Sequence, residues 1–217
     1  MILDQVCDRI GAISSAGWPI SSWLPNANGT VYTIAISGST VYAGGNFTSI
    51  GGALRTRIAA LDSSGIALAA FGTSANGIVR SIVPAGSTLY VGGDFSIIGG
   101  GNRNRIGALD STTGAGTSWV PEANGSVYSL AIVGTTVYAA GNFTTIGGQS
   151  RSRIATLDMT INTNNATSWN PSASGLVWSL SASGTTVNMG GAFSTVGGFG
   201  ISNIAAIDTT TSSVLEY

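Results

Sequence analysis

Apolar and polar positions alternate along short stretches of this chain, and the alternation restarts at fixed intervals. Residues 31–36 and 127–132 show it clearly, each just after an Asn-Gly pair. A Gly-Ser/Thr-Thr turn then leads to a second stretch, whose first appearance is Val41-Tyr42-Ala43-Gly44-Gly45-Asn46-Phe47. An Ile-Gly-Gly loop (50–52) separates it from a third, Arg57-Ile58-Ala59-Ala60-Leu61-Asp62, which recurs at 105–110, 153–158 and 203–208. A polar turn and a short fourth stretch close each unit on an aromatic residue: Trp23, Phe71, Trp119, Trp169 and Tyr217. Short β-prone runs bounded by Gly, Ser, Thr and Asn predict strands, and four in succession predict an antiparallel meander. No long stretch carries a helical apolar period, so helix is expected to be near absent.

The units begin at Ala27-Asn28-Gly29, Ala75-Asn76-Gly77, Ala123-Asn124-Gly125 and Ala173-Ser174-Gly175, at steps of 48, 48 and 50 residues. A four-stranded unit recurring at about 40–50 residues is the sequence mark of a β-propeller blade. The predicted fold is therefore all-β, with blades at 27–74, 75–122, 123–172 and 173–217. Residues 1–26 read as a leading half-blade of third and fourth strands, because Arg9 lies 48 positions before Arg57. The expected total is about 4.5 blades, with the half-blade lacking its inner strands. Two arrangements stay open: a segment of a larger ring of six to eight blades, or closure with another copy. Paired glycines at 44–45, 92–93 and 190–191 are expected where blades approach closely.

The string at 41–52 with the third stretch at 57–62 resembles the delta-sixty type of propeller repeat. The resemblance runs from about residue 9 to the C-terminus. It implies a secreted or cell-surface protein of bacterial type, in a family whose molecular function is largely unassigned. Residues 108–119, Ala-Leu-Asp-Ser-Thr-Thr-Gly-Ala-Gly-Thr-Ser-Trp, are similar to the tryptophan-docking motif of quinoprotein propellers, with Ala108, Asp110, Thr113, Gly114 and Trp119 at its positions. That likeness implies that Trp23, Phe71, Trp119, Trp169 and Tyr217 staple neighbouring blades. It does not extend to quinoprotein chemistry, since those enzymes need a calcium-bound carboxylate site and a complete ring, and this chain has only two glutamates, Glu122 and Glu216.

Composition sharpens the picture. Of 217 residues, 43% are hydrophobic and only 8% charged, against about 25% charged in an average soluble domain. Blades covered on both faces by their neighbours account for this without invoking a membrane span. The longest apolar run, 66–71, is far shorter than the roughly 20 residues a transmembrane helix needs, and residues 1–25 carry no basic-then-apolar leader pattern. All eight basic residues are arginine and the net charge is -1, which gives no electrostatic footprint for nucleic acid. The lone Cys7 forms no internal disulfide, and the lack of histidine removes the commonest metal ligand and general base. No catalytic constellation, metal site or cofactor is expected. Asp62, Asp110, Asp158 and Asp208 share one repeat position suited to capping a turn. Five Asn-x-Ser/Thr matches (Asn28, Asn46, Asn124, Asn142 and Asn165) are of the number such a composition produces by chance, and the Asn-Gly pairs read as tight turns.

Two sets of residues are candidate ligand contacts. Arg55, Arg103 and Arg151 each lie two residues before the strand-starting Arg57, Arg105 and Arg153. Their forked donors suit a sulfate, a carboxylate or an acidic sugar, or equally the carbonyls of blade edges. Tyr32, Arg80, Tyr128 and Trp178 share the start of the innermost strand and would either line the channel mouth or pack in the core. The functional expectation is a non-catalytic extracellular scaffold for adhesion or protein interaction. The alternatives are a glycan-binding propeller with one shallow site per blade and a segment of a propeller enzyme whose catalytic residues lie elsewhere. A protein or glycan partner is expected, together with self-association or further blades.

Overall fold

A computed structural model describes residues 9–215, so Cys7, Glu216 and Tyr217 lie outside the described residues. The described residues form consecutive antiparallel sheets and no helix. Blade 1 contains β1 (Thr30–Ser37), β2 (Thr40–Asn46), β3 (Ser49–Ile50), β4 (Ala53–Leu54) and β5 (Ile58–Leu61). Blade 2 contains β6 (Val79–Ala85), β7 (Thr88–Gly93), β8 (Ile97–Ile98), β9 (Gly101–Asn102) and β10 (Ile106–Asp110). Blade 3 contains β11 (Val127–Val133), β12 (Thr136–Gly141), β13 (Thr145–Ile146), β14 (Gln149–Ser150) and β15 (Ile154–Asp158). Blade 4 contains β16 (Leu176–Ser183), β17 (Thr186–Ala192), β18 (Ile204–Asp208) and β19 (Val214–Leu215).

Each sheet runs from an inner strand through a middle strand to the third, in the orders β1-β2-β5, β6-β7-β10, β11-β12-β15 and β16-β17-β18-β19. The fourth stretch forms a paired strand only in blade 4. In blades 1–3 it is reduced to one bridge, Leu61 with Ala67, Leu109 with Gly116 and Leu157 with Ala166. Two-residue hairpins, β3-β4, β8-β9 and β13-β14, occupy the loops between middle and third strands; the sequence pattern did not reveal them. Residues 9–26 hold a single bridge, Ile13 with Pro19.

Blade faces meet in four buried clusters. Ile10 and Trp23 of the leading unit pack on Ala43, Phe47 and Leu61 of blade 1. Tyr42, Ile58 and Ala60 of blade 1 pack on Val79, Ile82 and Leu89 of blade 2. Blade 2 meets blade 3 through Tyr90, Ile106 and Leu130, and blade 3 meets blade 4 through Tyr138, Ile154 and Val187. No buried cluster of the described residues joins blade 4 to blade 1 or to the leading unit. Burial from both sides is why the middle and third strands of blades 1–3 are mostly apolar or small, with Ile58, Leu61, Ile106, Leu109, Ile154 and Leu157 fully buried. The glycines of the middle strands serve this approach: a Cβ on Gly92 would stand 2.7 Å from Val127 Cγ1 of the next blade.

Aromatic residues tie the blades together. Trp119 Nε1 donates to the Asp158 carbonyl of the next blade at 3.0 Å, and Trp169 Nε1 to the Asp208 carbonyl at 3.1 Å. Trp23 Nε1 points at the Asp62 carbonyl at 3.5 Å. Edge-to-face pairs link Tyr42 with Phe71, Tyr90 with Trp119 and Tyr138 with Trp169, at centroid separations of 5.8, 5.0 and 5.8 Å. The Asn-Gly pairs act differently from tight turns. The Asn28 carboxamide oxygen accepts from the Thr48 and Ser49 N–H groups and its nitrogen donates to Thr48 Oγ1, clasping the loop after β2; Asn76 and Asn124 repeat the arrangement. Gly29 follows because a Cβ there would overlap the Asn46 carbonyl, not because the turn needs a positive φ.

Candidate functional site

The aspartates at the shared turn position cap their own turns. Asp110 Oδ1 accepts from the Thr112 and Thr113 N–H groups, and Asp208 does the same for Thr210 and Thr211. Hydrogen bonding from Thr210 and its neighbours holds the Asp208 carboxyl down to about 2. One residue in each strand-leading Arg position adopts a left-handed backbone, with φ of 64° at Arg9, 67° at Arg57, 62° at Arg105, 68° at Arg153 and 69° at Asn203. Their guanidinium groups reach across to the start of the next unit: Arg9 Nη1 donates to the Ala27 carbonyl, Arg57 to Ala75 and Arg153 to Ala173, each at 3.0 Å.

Arg55, Arg103 and Arg151 are also engaged by carbonyls. Arg55 donates to Leu54 and Leu68, and Arg151 to Ser150 and Thr167. Arg103 is 7% exposed and donates to Ile98 and Thr117. Burial lowers its pKa, and no carboxylate among the described residues is paired with it. These three side chains tie the two-residue hairpins to the fourth stretches: their η nitrogens are bonded to carbonyls and the Nε of each is buried, out of a ligand's reach.

Tyr32, Arg80, Tyr128 and Trp178 behave differently. Pairing between inner and middle strands shifts register at one point in every blade, between Val31 and Thr33, Val79 and Ser81, Val127 and Ser129, and Val177 and Ser179. The skipped residue is Tyr32, Arg80, Tyr128 or Trp178. A bulge inserts an unpaired residue and re-aims its side chain, and here all four line one cavity of about 390 Å³. The four residues that the sequence left between the channel mouth and the core thus meet around a single cup where the inner strands converge.

Within the cup Arg80 lies between two rings, its Cζ 5.5 Å from the centroid of Tyr32 and 5.2 Å from that of Tyr128. Its Nε and Nη2 form a fork on the Asp94 carboxylate, with Nη2 to Oδ2 at 2.7 Å. The Asp94 hydrogen bonds raise the Arg80 pKa further. For Asp94, burial pushes the carboxyl up, but hydrogen bonds from Arg80 and Ser126 and the charges of Arg80 and Arg105 outweigh it and hold the pKa below the ordinary value. The pair is therefore ionised and mutually neutralised. Nη1 of Arg80 and the hydroxyls of Tyr32 and Tyr128 have no hydrogen-bond partner among the described residues, and Tyr32 and Trp178 are 49% and 57% exposed. The cup offers aromatic surface and a few polar donors without net charge.

Asp94 is the member that sequence reasoning missed. Its signal was present: the same position holds Asn46, Asn142 and Ala192 in the other blades, so the one carboxylate stands in the blade that carries the one arginine. A larger cleft of about 620 Å³ lies between blades 2 and 3, lined by Asn104, Glu122, Asn124 and Asn164 among others. Its walls are mostly turns, and the Asn104 amide already donates to Glu122, so the smaller axial cup has the better-formed recognition chemistry. Among the described residues no group of three or more His, Cys, Asp or Glu side chains is placed to hold a metal ion, and no helix is long and apolar enough to cross a membrane.

No family model matches the chain, and no curated protein matches it. Solved structures do. The computationally designed Ika4 protein aligns with a TM-score of 0.55 at 13% identity, over 83% of this chain and 92% of its own. The WD40 domain of Neurospora crassa Pan2 aligns with a TM-score of 0.53 at 14% identity, over 86% and 51%. The computationally designed Ika8 protein gives 0.52 at 15%, over 93% and 52%. This chain spans about half the length of the Pan2 and Ika8 chains. With the WD40 likeness and the blade sheets described above, the fold is an all-β propeller.

Proposed function

We propose that this chain is a non-catalytic recognition propeller, an interaction scaffold whose binding surface is the axial cup. The observation that supports this most is the convergence of one bulged residue from each blade on a shared hollow. Arg9, Arg55, Arg57, Arg103, Arg151 and Arg153 are bonded to backbone carbonyls, and Asp62, Asp110, Asp158 and Asp208 cap turns. The cup holds a neutralised ion pair flanked by rings, which suits a ring-shaped or planar group presented by a partner: a projecting aromatic or proline side chain on a protein, stacked on Tyr32 and Trp178 and hydrogen-bonded by Arg80 Nη1. An extracellular or cell-surface setting is part of the proposal and rests on the repeat resemblance.

A second reading follows from the same geometry. Exposed aromatic faces beside a few donors, without net charge, also suit the apolar face of a neutral hexose. That would make a lectin with one axial site in place of one site per blade. A random-peptide display library and a glycan array, each probed with the parent chain and with the Tyr32→Ala/Trp178→Ala double variant, separate the two. Enrichment of ring-bearing peptides that the double variant loses supports the scaffold. Loss confined to glycans favours the lectin. Binding that the double variant retains in full, or no binding by either, overturns the cup as the functional site.

A further inference from the structure

Departures from the repeat gather at one boundary, the cleft of about 620 Å³ between blades 2 and 3. Arg9, Arg57 and Arg153 each spend Nη1 on a carbonyl at the start of the next unit. Arg105 holds the same strand-leading position and lines the cleft, yet its guanidinium makes no hydrogen bond or ion pair among the described residues. The Nε of Arg57 and that of Arg153 are sealed from solvent, whereas the unbonded nitrogens of Arg105 stay in contact with it. The Arg105 charge helps to hold Asp94 ionised, but both oxygens of that carboxylate are bonded by Arg80. Arg105 is therefore a half-buried cation whose planar fork of donors is open.

Two further departures line the same cleft. Glu122 stands where the other units carry Asn26, Ser74 and Ser172. Its Oε1 accepts from Asn104 Nδ2 at 3.3 Å, and Oε2 has no partner among the described residues. The turn after the third strand is two residues longer in blade 3 than in blade 2, bridging Leu157 to Ala166 where blade 2 bridges Leu109 to Gly116. That longer turn is tied across the boundary: the Val120 N–H donates to the Asn162 carbonyl at 2.7 Å, and Ser118 Oγ to Asn162 Oδ1 at 3.1 Å. It brings Asn164 to the cleft wall over Gly148, and the Asn164 carboxamide makes no hydrogen bond among the described residues. The equivalent groove between the leading unit and blade 1, of about 450 Å³, is lined by no charged side chain among the described residues. Three changes confined to one boundary are what a single binding site requires and a repeated scaffold position does not.

We infer that this cleft binds a free α-amino acid with an aliphatic side chain. Arg105 takes the carboxylate on its fork of donors, Glu122 takes the ammonium with the Asn164 carboxamide oxygen as a second acceptor, and Val120 and Pro121 supply an apolar wall for the side chain. Arg105 and Glu122 form no ion pair with each other, so a ligand that carries both charges satisfies both without displacing a bond of the fold. A polyanion would meet Glu122 as a like charge. A ligand without charge would leave two opposite charges screened from water and unpaired. The site does not depend on what the axial cup binds.

The probe is L-leucine, titrated into the full chain by calorimetry. Saturable one-to-one binding is expected, weakened about tenfold or more by Arg105→Gln and by Glu122→Gln. It should be lost for leucinamide, which lacks the carboxylate, and for N-acetyl-leucine, which lacks the ammonium. Leu54→Ser in the equivalent groove should leave it unchanged. The Arg105 side chain bonds nothing in the fold, and the carboxamide of Glu122→Gln can still accept from Asn104, so both variants should keep the parent Tm and separate lost binding from lost folding. No saturable binding of L-leucine, binding indifferent to both variants, or equal binding of N-acetyl-leucine overturns the proposal. Glucuronate that binds through Arg105 without need of Glu122, where L-leucine does not bind, also overturns it, by assigning the cleft to a sugar acid.

Discussion

Trp119 is the place to test whether blades are stapled as described. The side chain is 3% exposed, meets Tyr90 edge-to-face at 5.0 Å, and donates Nε1 to the Asp158 carbonyl of the next blade. Trp119→Ala removes the packing and the hydrogen bond together, and truncating a buried aromatic of this size costs about 3–5 kcal/mol. Trp119→Phe keeps most of the ring but leaves the Asp158 carbonyl with only the longer bond from Asn165 Nδ2 at 3.3 Å, a loss of about 0.5–1.5 kcal/mol. In a domain of this size about 1 kcal/mol shifts Tm by roughly 2–4 °C, so the alanine variant should melt about 6–20 °C lower. Urea denaturation followed by far-UV circular dichroism measures both, with exposed Trp18→Ala as the neutral control. The reasoning fails if the alanine variant loses less than about 1 kcal/mol, because the blades would then be held without the staple. It also fails if phenylalanine and alanine behave alike, because the ring would then add nothing to the donor.

Three further outcomes follow. Arg103→Ala removes charge-assisted bonds to one buried and one half-buried carbonyl and should cost about 2–4 kcal/mol, well above Arg55→Ala at the more open equivalent position; denaturation midpoints of the two variants check the ranking. Arg80→Ala leaves the Asp94 carboxylate unpaired and half-buried, so Arg80→Ala/Asp94→Asn should be more stable than Arg80→Ala alone, as a double-mutant cycle would show. The carboxyl of Asp208 is depressed to about 2 and those of Asp110 and Asp158 are also lowered. A depressed folded-state pKa gives stability that is complete above the unfolded value near 3.8 and is lost as pH falls through about 2. Tm should therefore be level above that value and decline below it, and Asp208→Asn should flatten the decline.

The repeat made the architecture legible because every blade solves the same packing problem with the same residues. Phe47, Phe95, Phe143 and Phe193 stay in register, and the third stretches stay apolar, since both faces are covered. The fourth stretch was over-read: a bridge such as Leu61 with Ala67 looks like a strand when only β propensity and turn residues are considered, and it forms a paired strand only in blade 4. The cup was half legible. Tyr32, Arg80, Tyr128 and Trp178 shared a position, but Val31-Tyr32-Thr33 reads as plain alternation, and the bulge that turns Tyr32 toward the axis depends on pairing with Gly44 and Gly45 far along the chain. The roles of Arg55, Arg103 and Arg151 stayed open for a similar reason, because their acceptors are backbone carbonyls and carry no residue-type signal.

The most direct test of recognition at the axis uses Trp178 as its own reporter. The parent chain and Trp178→Phe are titrated with the tightest peptide or glycan from the arrays, and the difference in tryptophan emission isolates Trp178. Because this indole is 57% exposed in the free protein, burial by a ligand seated in the cup should move its emission to shorter wavelength, along the same saturation curve as calorimetry. Saturable binding that leaves the Trp178 emission unmoved would place the ligand elsewhere and contradict the account.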